Sequence, residues 1–324
     1  MQPGPPLSAQ STIASRSLAH ARDPERASDL AARGVQIKAG DILDQASIEA
    51  ALQGCRVLYH AAAIYEVDLP DKKRLLQTEI AGTEHALKAA RRCGVERVVY
   101  TSSAITIGEV SGSTGNEHTP HRGYFHSAYE EAKYRAEQVA LEHARQGLPV
   151  VLVNPAMVYG PGDLKPPARG LLNILNGVYP GIYAGALSFV YLDDVGEGHL
   201  LAAEHGQPGE RYILCDRHFS LSEWYGTAAR LAGARLPRRF PVIVAGAYAR
   251  LSSVAAKFSG KPALLSYESF KTAAYGFRVD GSRARQELGL RHLPFKEGLR
   301  RTINWYWSHG YLKHKPDCAP ENTG

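Results

Sequence analysis

Two side chains that could move a proton stand four positions apart in the stretch AYEEAK, residues 128 to 133. Tyr129 carries a phenol and Lys133 an ammonium group, and this interval places both on one face of a predicted helix. A phenol of ordinary pKa is a poor base at neutral pH, but a nearby positive charge favours the phenolate. Such a pair could exchange a proton with the oxygen of a ketone or a secondary alcohol.

The spacing alone is weak evidence for chemistry. Tyr267 with Lys271 and Tyr311 with Lys315 show the same interval elsewhere in the chain. A surface pair in an acidic stretch of helix is therefore the alternative interpretation of Tyr129 and its neighbour. The context of each pair has to decide between the two.

Polar residues at two predicted strand ends provide that context. YTSSA (100 to 104) ends one strand and VNPAMVYGP (153 to 161) ends the next, with the AYEEAK helix between them in sequence. Ligands of parallel sheets bind outside the carboxyl ends of the strands. A serine hydroxyl there could hold a substrate oxygen, and Ser103 is the candidate, with Ser102 as the alternative.

The surrounding sequence alternates short β-branched runs with helical segments. Strands are predicted over 35–41, 56–62, 95–103 and 148–162, and helices over 47–54, 75–94 and 127–147. Helices of this length between strands indicate right-handed βαβ units. We therefore predict an α/β fold with a Rossmann-like, doubly wound parallel sheet and a smaller C-terminal substrate-binding domain.

The regular alternation fades after residue 162, which sets the predicted domain organisation. Residues 1–165 are assigned to the dinucleotide-binding domain and 166–324 mainly to the substrate-binding domain, with part of 186–215 returning to the sheet. The longest apolar stretch, 240–256, is interrupted by Arg250 and is too short for a membrane span. We expect it to form a core or interfacial helix.

Composition limits the classes of function. The chain has 324 residues, 44% of them hydrophobic and 22% charged, and a formal net charge of +6 that comes mostly from scattered arginines. Such scattering favours an ordinary solvated surface over nucleic-acid binding. The four cysteines lie far apart, which excludes paired spacings of a zinc site or disulfide framework. We expect no metal, no signal peptide and a cytoplasmic location.

Six motifs in order resemble one known family. They are AGDILD (39–44), HAAA (60–63), TSSA (101–104), YEEAK (129–133), NPAMVYGPGD (154–163) and FVYLDDVGEGHLLA (189–202). Together they resemble the extended short-chain dehydrogenase/reductase family, in the branch of dihydroflavonol reductase-like and hopanoid-associated epimerase-like proteins. The resemblance covers roughly residues 20 to 315.

The resemblance implies roles for individual residues. It implies Tyr129 as acid/base, Lys133 as the group that binds the nicotinamide ribose and tunes the tyrosine, and Ser103 as the partner of the substrate oxygen. Further cofactor contacts are implied at Asp41, Ile42, Ala61, Ala62, Ala63, Pro155, Ala156, Met157 and Val158. Two of these residues also have a purely structural interpretation, since Asp41 could cap a turn and Pro155 could end a strand.

The cofactor and the oligomer are also expectations of that resemblance. Arg22 follows a predicted strand end, where an arginine often meets the 2′-phosphate, so NADP is favoured and NAD stays possible. The helices at 75–94 and 127–147 could form a homodimer interface. The partner is a small-molecule substrate, with no nucleic acid and no membrane span.

One feature of the family pattern is missing. The chain begins MQPGPPLSAQSTIASRSLAHARDPER, which contains no glycine-rich phosphate loop and in which Leu7, Ile13 and Leu18 give no convincing strand. Family members also usually carry Asn at the position of Glu79. Two or three lost charge-assisted hydrogen bonds would cost about 3 to 9 kcal/mol of cofactor binding.

The sequence therefore predicts an NAD(P)(H)-dependent oxidoreductase that interconverts a ketone and a secondary alcohol on a moderately apolar molecule. Met157 stands where sugar-nucleotide epimerases tend to have Asn, and a thioether cannot donate that hydrogen bond. One alternative is a nucleotide-sugar epimerase of the same family. Another is a truncated or non-catalytic member that cannot bind the cofactor.

Overall fold

Short strands alternate with longer helices along residues 17–64, 71–179, 181–259 and 263–319, which this computed structural model describes. The strands are β1 (Leu18–Ala21), β2 (Gln36–Ala39), β3 (Val57–His60), β4 (Arg97–Thr101), β5 (Val150–Pro155), β6 (Met157–Tyr159), β7 (Gly181–Ile182), β8 (Ala186–Tyr191), β9 (Arg211–Leu214), β10 (Arg217–Ser220) and β11 (Arg238–Arg239). The α-helices are α1 (Ser28–Ala32), α2 (Gln45–Leu52), α3 (Lys72–Arg92), α4 (Ala128–Arg145), α5 (Pro166–Leu175), α6 (Leu192–His205), α7 (Leu221–Leu231), α8 (Val242–Ser259), α9 (Tyr267–Tyr275), α10 (Ser282–Glu287) and α11 (Phe295–Ser308).

The central sheet has four parallel strands in the order β3-β4-β5-β9. Every residue of β5 is buried, as expected for a strand covered by helices on both faces. One face packs on α3 and α4 through Leu87, Ala90, Ala136 and Ala140. This arrangement confirms the predicted α/β fold with a parallel sheet.

β1 and β2 form a separate parallel pair. Among the described residues, no ladder joins this pair to β3; α2 holds it instead, with the ring of His20 3.1 Å from the Ser47 hydroxyl. The expectation that Leu18 lies outside any strand was wrong, because pairing with Gln36 supplies the extended structure that the alanine-rich sequence does not signal. Leu7 and Ile13 lie outside the described residues.

The single strand predicted over 148–162 is two strands in different sheets. β5 ends at Pro155, which has no amide hydrogen with which to continue a ladder. After Ala156, β6 leaves the central sheet and pairs with β8. The break turns Met157 and Val158 away from β5 at its carboxyl end.

The second half of the chain forms a cap over that end of the sheet. A three-stranded sheet, β10-β8-β6, is surrounded by α5, α7 and α11 around an aromatic core that includes Phe189, Phe219 and Trp224. β9 returns to the central sheet beside β5. The division at residue 165 stays a prediction.

The apolar stretch near residue 240 forms α8, which packs on α9 through Ala245, Ala249 and Phe270. Its other side is exposed, with Ile243 86% and Phe258 89% accessible. Across the described ranges, we find no helix with both the length and the apolar character needed to cross a bilayer.

Candidate active site

Helix α4 presents three chemically useful side chains on one face. Ser127 begins the helix, its hydroxyl accepting a hydrogen bond from the Glu130 amide at 3.1 Å. Tyr129, Lys133 and Glu137 then follow at four-residue intervals, with 8%, 4% and 0% of their surfaces exposed. This burial contradicts the alternative of a surface pair.

A buried carboxylate fixes Lys133. The Lys133 Nζ lies 3.1 Å from Glu79 Oε2, and both side chains are almost fully buried, at 5% and 2% exposure. The other Glu79 oxygen accepts a hydrogen bond from the Ile64 amide at 2.5 Å. Glu79 thus links Lys133 of α4 to the loop that follows β3, which gives this residue a structural role that the family pattern does not supply.

A second buried carboxylate organises the end of β4. Glu137 Oε2 accepts hydrogen bonds from the Ser102 hydroxyl at 2.5 Å, the Thr106 hydroxyl at 2.8 Å and the side-chain Nδ2 of Asn154 at 2.6 Å. Its other oxygen lies 3.3 Å from Arg211 Nη1. Since these partners come from β5, β9 and the turn after β4, the network holds that turn at a fixed position relative to α4.

The two serines of the turn are in different environments. Ser102 is buried and its hydroxyl is committed to Glu137. Ser103 is partly exposed and begins a 3₁₀ helix over Ala104–Ile107, with only a long 3.4 Å hydrogen bond from the Ile105 amide to its hydroxyl. Ser103 therefore has the hydroxyl that can reach a ligand.

These side chains line one large cavity at the carboxyl ends of β3, β4 and β5. Its volume is about 1880 Å³. Most of the predicted site residues line it, namely Ala61, Ala63, Ser103, Tyr129, Lys133, Pro155, Ala156, Met157 and Val158. We name the side formed by Ser102, Ser103, Tyr129, Lys133 and Pro155 the strand-end wall.

Four predicted residues, all within the described ranges, do not line the cavity: Arg22, Asp41, Ile42 and Ala62. Asp41 accepts a hydrogen bond from the Leu43 amide at 2.9 Å, as in a simple turn. Ile42 packs against Gly82 of α3, where any Cβ would meet its Cδ1 at 2.6 Å. Arg22 is exposed directly after β1.

Residues 1–16, where the glycine-rich loop is missing, lie outside the described residues.

The part of the cavity lining that follows β6 in sequence includes five aromatic or apolar side chains, Tyr183, Phe189, Trp224, Tyr225 and Val244, which we name the cap wall. Polar side chains such as Lys165, Arg169 and Glu268 line the same part. Phe189 and Trp224 stack with their ring centroids 3.8 Å apart. Aromatic packing of this kind gives a large and rigid apolar surface.

His60 supports the strand-end wall from the end of β3. Its ring is buried and packs against Tyr100 with centroids 5.7 Å apart. Burial, together with the positive charge of Lys133, lowers the pKa of His60 to about 4. The imidazole is therefore neutral at physiological pH.

In the other two Tyr/Lys pairs, Tyr267 also lines the cavity, but its partner lysine and both members of the second pair do not. The Lys271 ammonium donates to the His126 carbonyl at 2.7 Å and lies over the Tyr267 ring, where it serves packing. Tyr311 and Lys315 are exposed near the end of the described chain. In the described ranges, no group of three or more His, Cys, Asp or Glu side chains is placed to hold a metal ion.

Sequence reasoning missed the supporting carboxylates and the cap wall. Glu79 and Glu137 act on residues distant in sequence, so no local motif marks them. A weak signal exists for Glu137, which extends the four-residue interval from Tyr129 through Lys133. The cap wall comes from β8, α7, α8 and the loop after β7, and no spacing rule connects these elements.

Comparisons with known proteins agree with this geometry. The model of the NAD dependent epimerase/dehydratase family matches residues 9–215. A putative dihydroflavonol 4-reductase of Synechocystis is 32% identical over 284 residues, covering 85% of this chain and 82% of the relative. Sterol demethylase protein B of Methylococcus capsulatus is 32% identical over 296 residues, covering 89% and 90%.

A solved structure shares the fold at greater distance. The dTDP-glucose 4,6-dehydratase DesIV of Streptomyces venezuelae, crystallised with NAD and TYD, has a TM-score of 0.73 and 24% identity, covering 93% of this chain and 91% of the other. The predicted resemblance is confirmed by these matches together with the parallel sheet. The chain therefore belongs to the NAD dependent epimerase/dehydratase family and is an oxidoreductase of that family.

Proposed function

We propose that this enzyme interconverts a ketone and a secondary alcohol on an apolar, multi-ring molecule, with NADPH as the reduced cofactor. The observation that carries the proposal is the cavity, in which Ser103, Tyr129 and Lys133 face an aromatic cap wall. Polar groups on one side and apolar surface on the other suit a substrate with one reacting oxygen on a hydrophobic body.

The described residues fit the nicotinamide end of such a cofactor. Ala61 and Ala63 are small and exposed at the end of β3, and the cavity exceeds the roughly 300 to 1,000 Å³ of typical ligand sites. Lys133 and Tyr129 would hold the ribose, with residues 155–158 beside the ring. When bound, the cofactor supplies or accepts the hydride.

The protein's own part is to hold the oxygen and move its proton. Ser103 donates a hydrogen bond to the substrate oxygen, and the Tyr129 phenol gives that oxygen a proton in reduction or removes it in oxidation. Glu79 keeps the Lys133 ammonium in place beside the phenol. The Glu137 network keeps the turn that carries Ser103 from shifting. This preserves the alignment of the Ser103 hydroxyl with the Tyr129 phenol.

The names of the relatives support an apolar substrate. Two proteins at 32% identity are named for a dihydroflavonol and for a sterol, both ring systems with few charges. Arg22, exposed at the carboxyl end of β1, supports NADP over NAD because a guanidinium can pair with a 2′-phosphate.

Nucleotide-sugar epimerisation is the second candidate. Lys165 and Arg169 line the cavity and are exposed, so they could meet a diphosphate. A solved structure from Pseudomonas aeruginosa at 25% identity is described as a nucleoside-diphosphate-sugar epimerase. Against this, the cap wall is built mainly from aromatic and apolar surface, which suits a ring system better than a sugar.

The test is a turnover assay of the purified chain in two arms: a dihydroflavonol or a 3-keto sterol with NADPH, and UDP-glucose with NADP+ or NAD+. We expect reduction of at least one apolar ketone, and a loss of about 10³-fold or more in kcat/KM for Tyr129→Phe. Tyr134→Phe, one turn further along α4 and away from the cavity, is the matched control and should retain activity.

Two results would contradict the proposal. Epimerisation of UDP-glucose with the oxidised cofactor, without net formation of NADPH or NADH, and no reduction of either ketone would favour the epimerase. Retained ketone reduction in Tyr129→Phe would remove the tyrosine from the mechanism.

A further inference from the structure

The outer side of α8 carries an apolar stripe that nothing in the described chain covers. Ile243, Ala247, Leu251, Val254 and Phe258 recur at intervals of three and four residues, so they share one helix face. All are exposed, with Ile243 at 86%, Leu251 at 70%, Val254 at 51% and Phe258 at 89%. The opposite face, with Ala245 and Ala249, packs on Phe270 and accounts for the fold of the helix.

The charged residues in the stretch of sequence that contains α8 are all basic. From residue 224 to residue 267 the sequence contains seven Lys or Arg residues and no Asp or Glu. At the chain's overall frequency of 32 acidic residues in 324, about four would be expected in that stretch. Arg235, Arg238 and Arg239 are exposed just before α8.

We propose that α8 and the basic segment before it dock on an anionic phospholipid bilayer. An exposed apolar stripe flanked by cations is the pattern of a helix that lies in the membrane interface. The apolar side chains enter the acyl boundary while the arginines meet lipid phosphates. A folded protein partner of the same chemistry would also need an acidic rim, whereas anionic lipid supplies both the apolar and the anionic layers at once.

Helix α8 also forms part of the rim of the cavity, so docking would bring the cavity entrance to the bilayer. Val244 and Tyr248 of α8 line the cavity and are still 53% and 47% exposed, so they stand at its rim. Phe240 and Leu264 also line the cavity and are exposed. An apolar substrate could therefore pass from the bilayer along α8 without crossing water; this delivery step rests on the proposed function, whereas the docking does not.

The first test measures co-sedimentation with vesicles, without substrate or cofactor, so that it is independent of catalysis. The vesicles are phosphatidylcholine alone, or phosphatidylcholine with about one third phosphatidylglycerol. We expect binding to the anionic vesicles to be at least about tenfold tighter, and the preference to vanish near 1 M salt, where the Debye length falls to about 3 Å.

Variants then distinguish the contribution of the apolar stripe to vesicle binding from that of the arginines. Ile243→Ser/Phe258→Ser should weaken binding to anionic vesicles by about tenfold or more, with an unchanged Tm because both side chains are exposed. The matched control Val110→Ser/Leu200→Ser removes two exposed apolar side chains elsewhere and should bind normally.

Arg238→Gln/Arg239→Gln should lower the affinity for anionic vesicles by about fivefold per residue and reduce the preference for phosphatidylglycerol. Arg33→Gln/Arg145→Gln, also exposed, is its control.

Three outcomes would overturn the proposal. The first is no binding to either vesicle, and the second is equal binding to both. The third is a dimer in sedimentation velocity that Ile243→Ser/Phe258→Ser dissociates, with no vesicle binding, which would assign the stripe to a second copy of the chain.

Discussion

The two walls of the cavity are built by different physical means. The strand-end wall is held by buried ionic and hydrogen-bonded groups, in which Glu79 fixes Lys133 and Glu137 fixes the serine turn. The cap wall is held by aromatic packing, with Phe189 stacked on Trp224. Directional bonds fix the positions of polar groups, whereas apolar surface selects a ligand by shape. Under the proposed function, the strand-end wall would therefore carry the chemistry and the cap wall the choice of substrate.

The largest expected effect concerns the buried ion pair of the strand-end wall. Lys133→Met leaves the Glu79 carboxylate buried without its partner, and we expect a loss of about 3 to 5 kcal/mol in the free energy of unfolding. Lys133→Met/Glu79→Gln should recover most of that loss, because it leaves no buried charge unpaired. Urea unfolding of both variants gives the values.

The matched control is an exposed pair on α3. Lys88 lies 3.0 Å from Glu84 with 50% of its side chain exposed, so Lys88→Met should cost under about 1 kcal/mol. Equal losses in Lys133→Met and Lys88→Met would show that the strand-end wall does not depend on its buried pair.

A pH dependence should arise from His60. Its native pKa of about 4 lies below the unfolded value of 6.5, so the neutral ring stabilises the fold fully above pH 6.5. That stability is lost as pH falls from 6.5 to about 4, by up to about 3 kcal/mol. Unfolding free energies measured across this range should fall less steeply in His60→Phe; parallel curves for the two proteins would refute the assignment.

The two serines should separate stability from catalysis. Ser102→Ala deprives the buried Glu137 of one donor and should cost about 1.5 to 3 kcal/mol of stability. Ser103→Ala should leave stability within about 1 kcal/mol of wild type but lower kcat/KM by about 10- to 100-fold. Thermal unfolding measures the change in stability, and steady-state kinetics measure the change in kcat/KM. If Ser102→Ala lost activity and Ser103→Ala lost stability, Ser102 would be the serine whose hydroxyl faces the substrate.

The smallest effect should come from the rim of the cap wall. Tyr248→Ala removes a half-exposed ring that lines the cavity, so KM should rise by about three- to tenfold with kcat unchanged. Tyr124→Ala, similarly exposed but away from the cavity, serves as the control. A fall in kcat without a change in KM would place chemistry on the cap side.

Some of the site could be predicted because it depends on local order in the sequence. Tyr129 and Lys133 share a helix face by spacing, and Ser103 and Pro155 follow strands whose apolar runs are easily recognised. Parallel pairing then brings the strand ends together. The structure places all four of these residues at one cavity.

The rest depends on contacts that sequence order does not encode. Glu79 contacts Lys133 from another helix, and β6 leaves the central sheet after Ala156 to pair Met157 with Phe189, 32 residues later. Leu18 is extended because Gln36 pairs with it, since its own neighbours favour no strand. Such features follow from tertiary pairing, which overrides local propensity.

The central claim is that the strand-end wall holds a nicotinamide cofactor, and a fluorescence titration with NADPH and NADH tests it most directly. We predict micromolar Kd for NADPH in the wild-type chain, weaker binding of NADH, and at least about tenfold weaker binding of NADPH in Lys133→Met/Glu79→Gln. Absence of saturation up to millimolar NADPH, or equal affinity in the variant, would contradict the account.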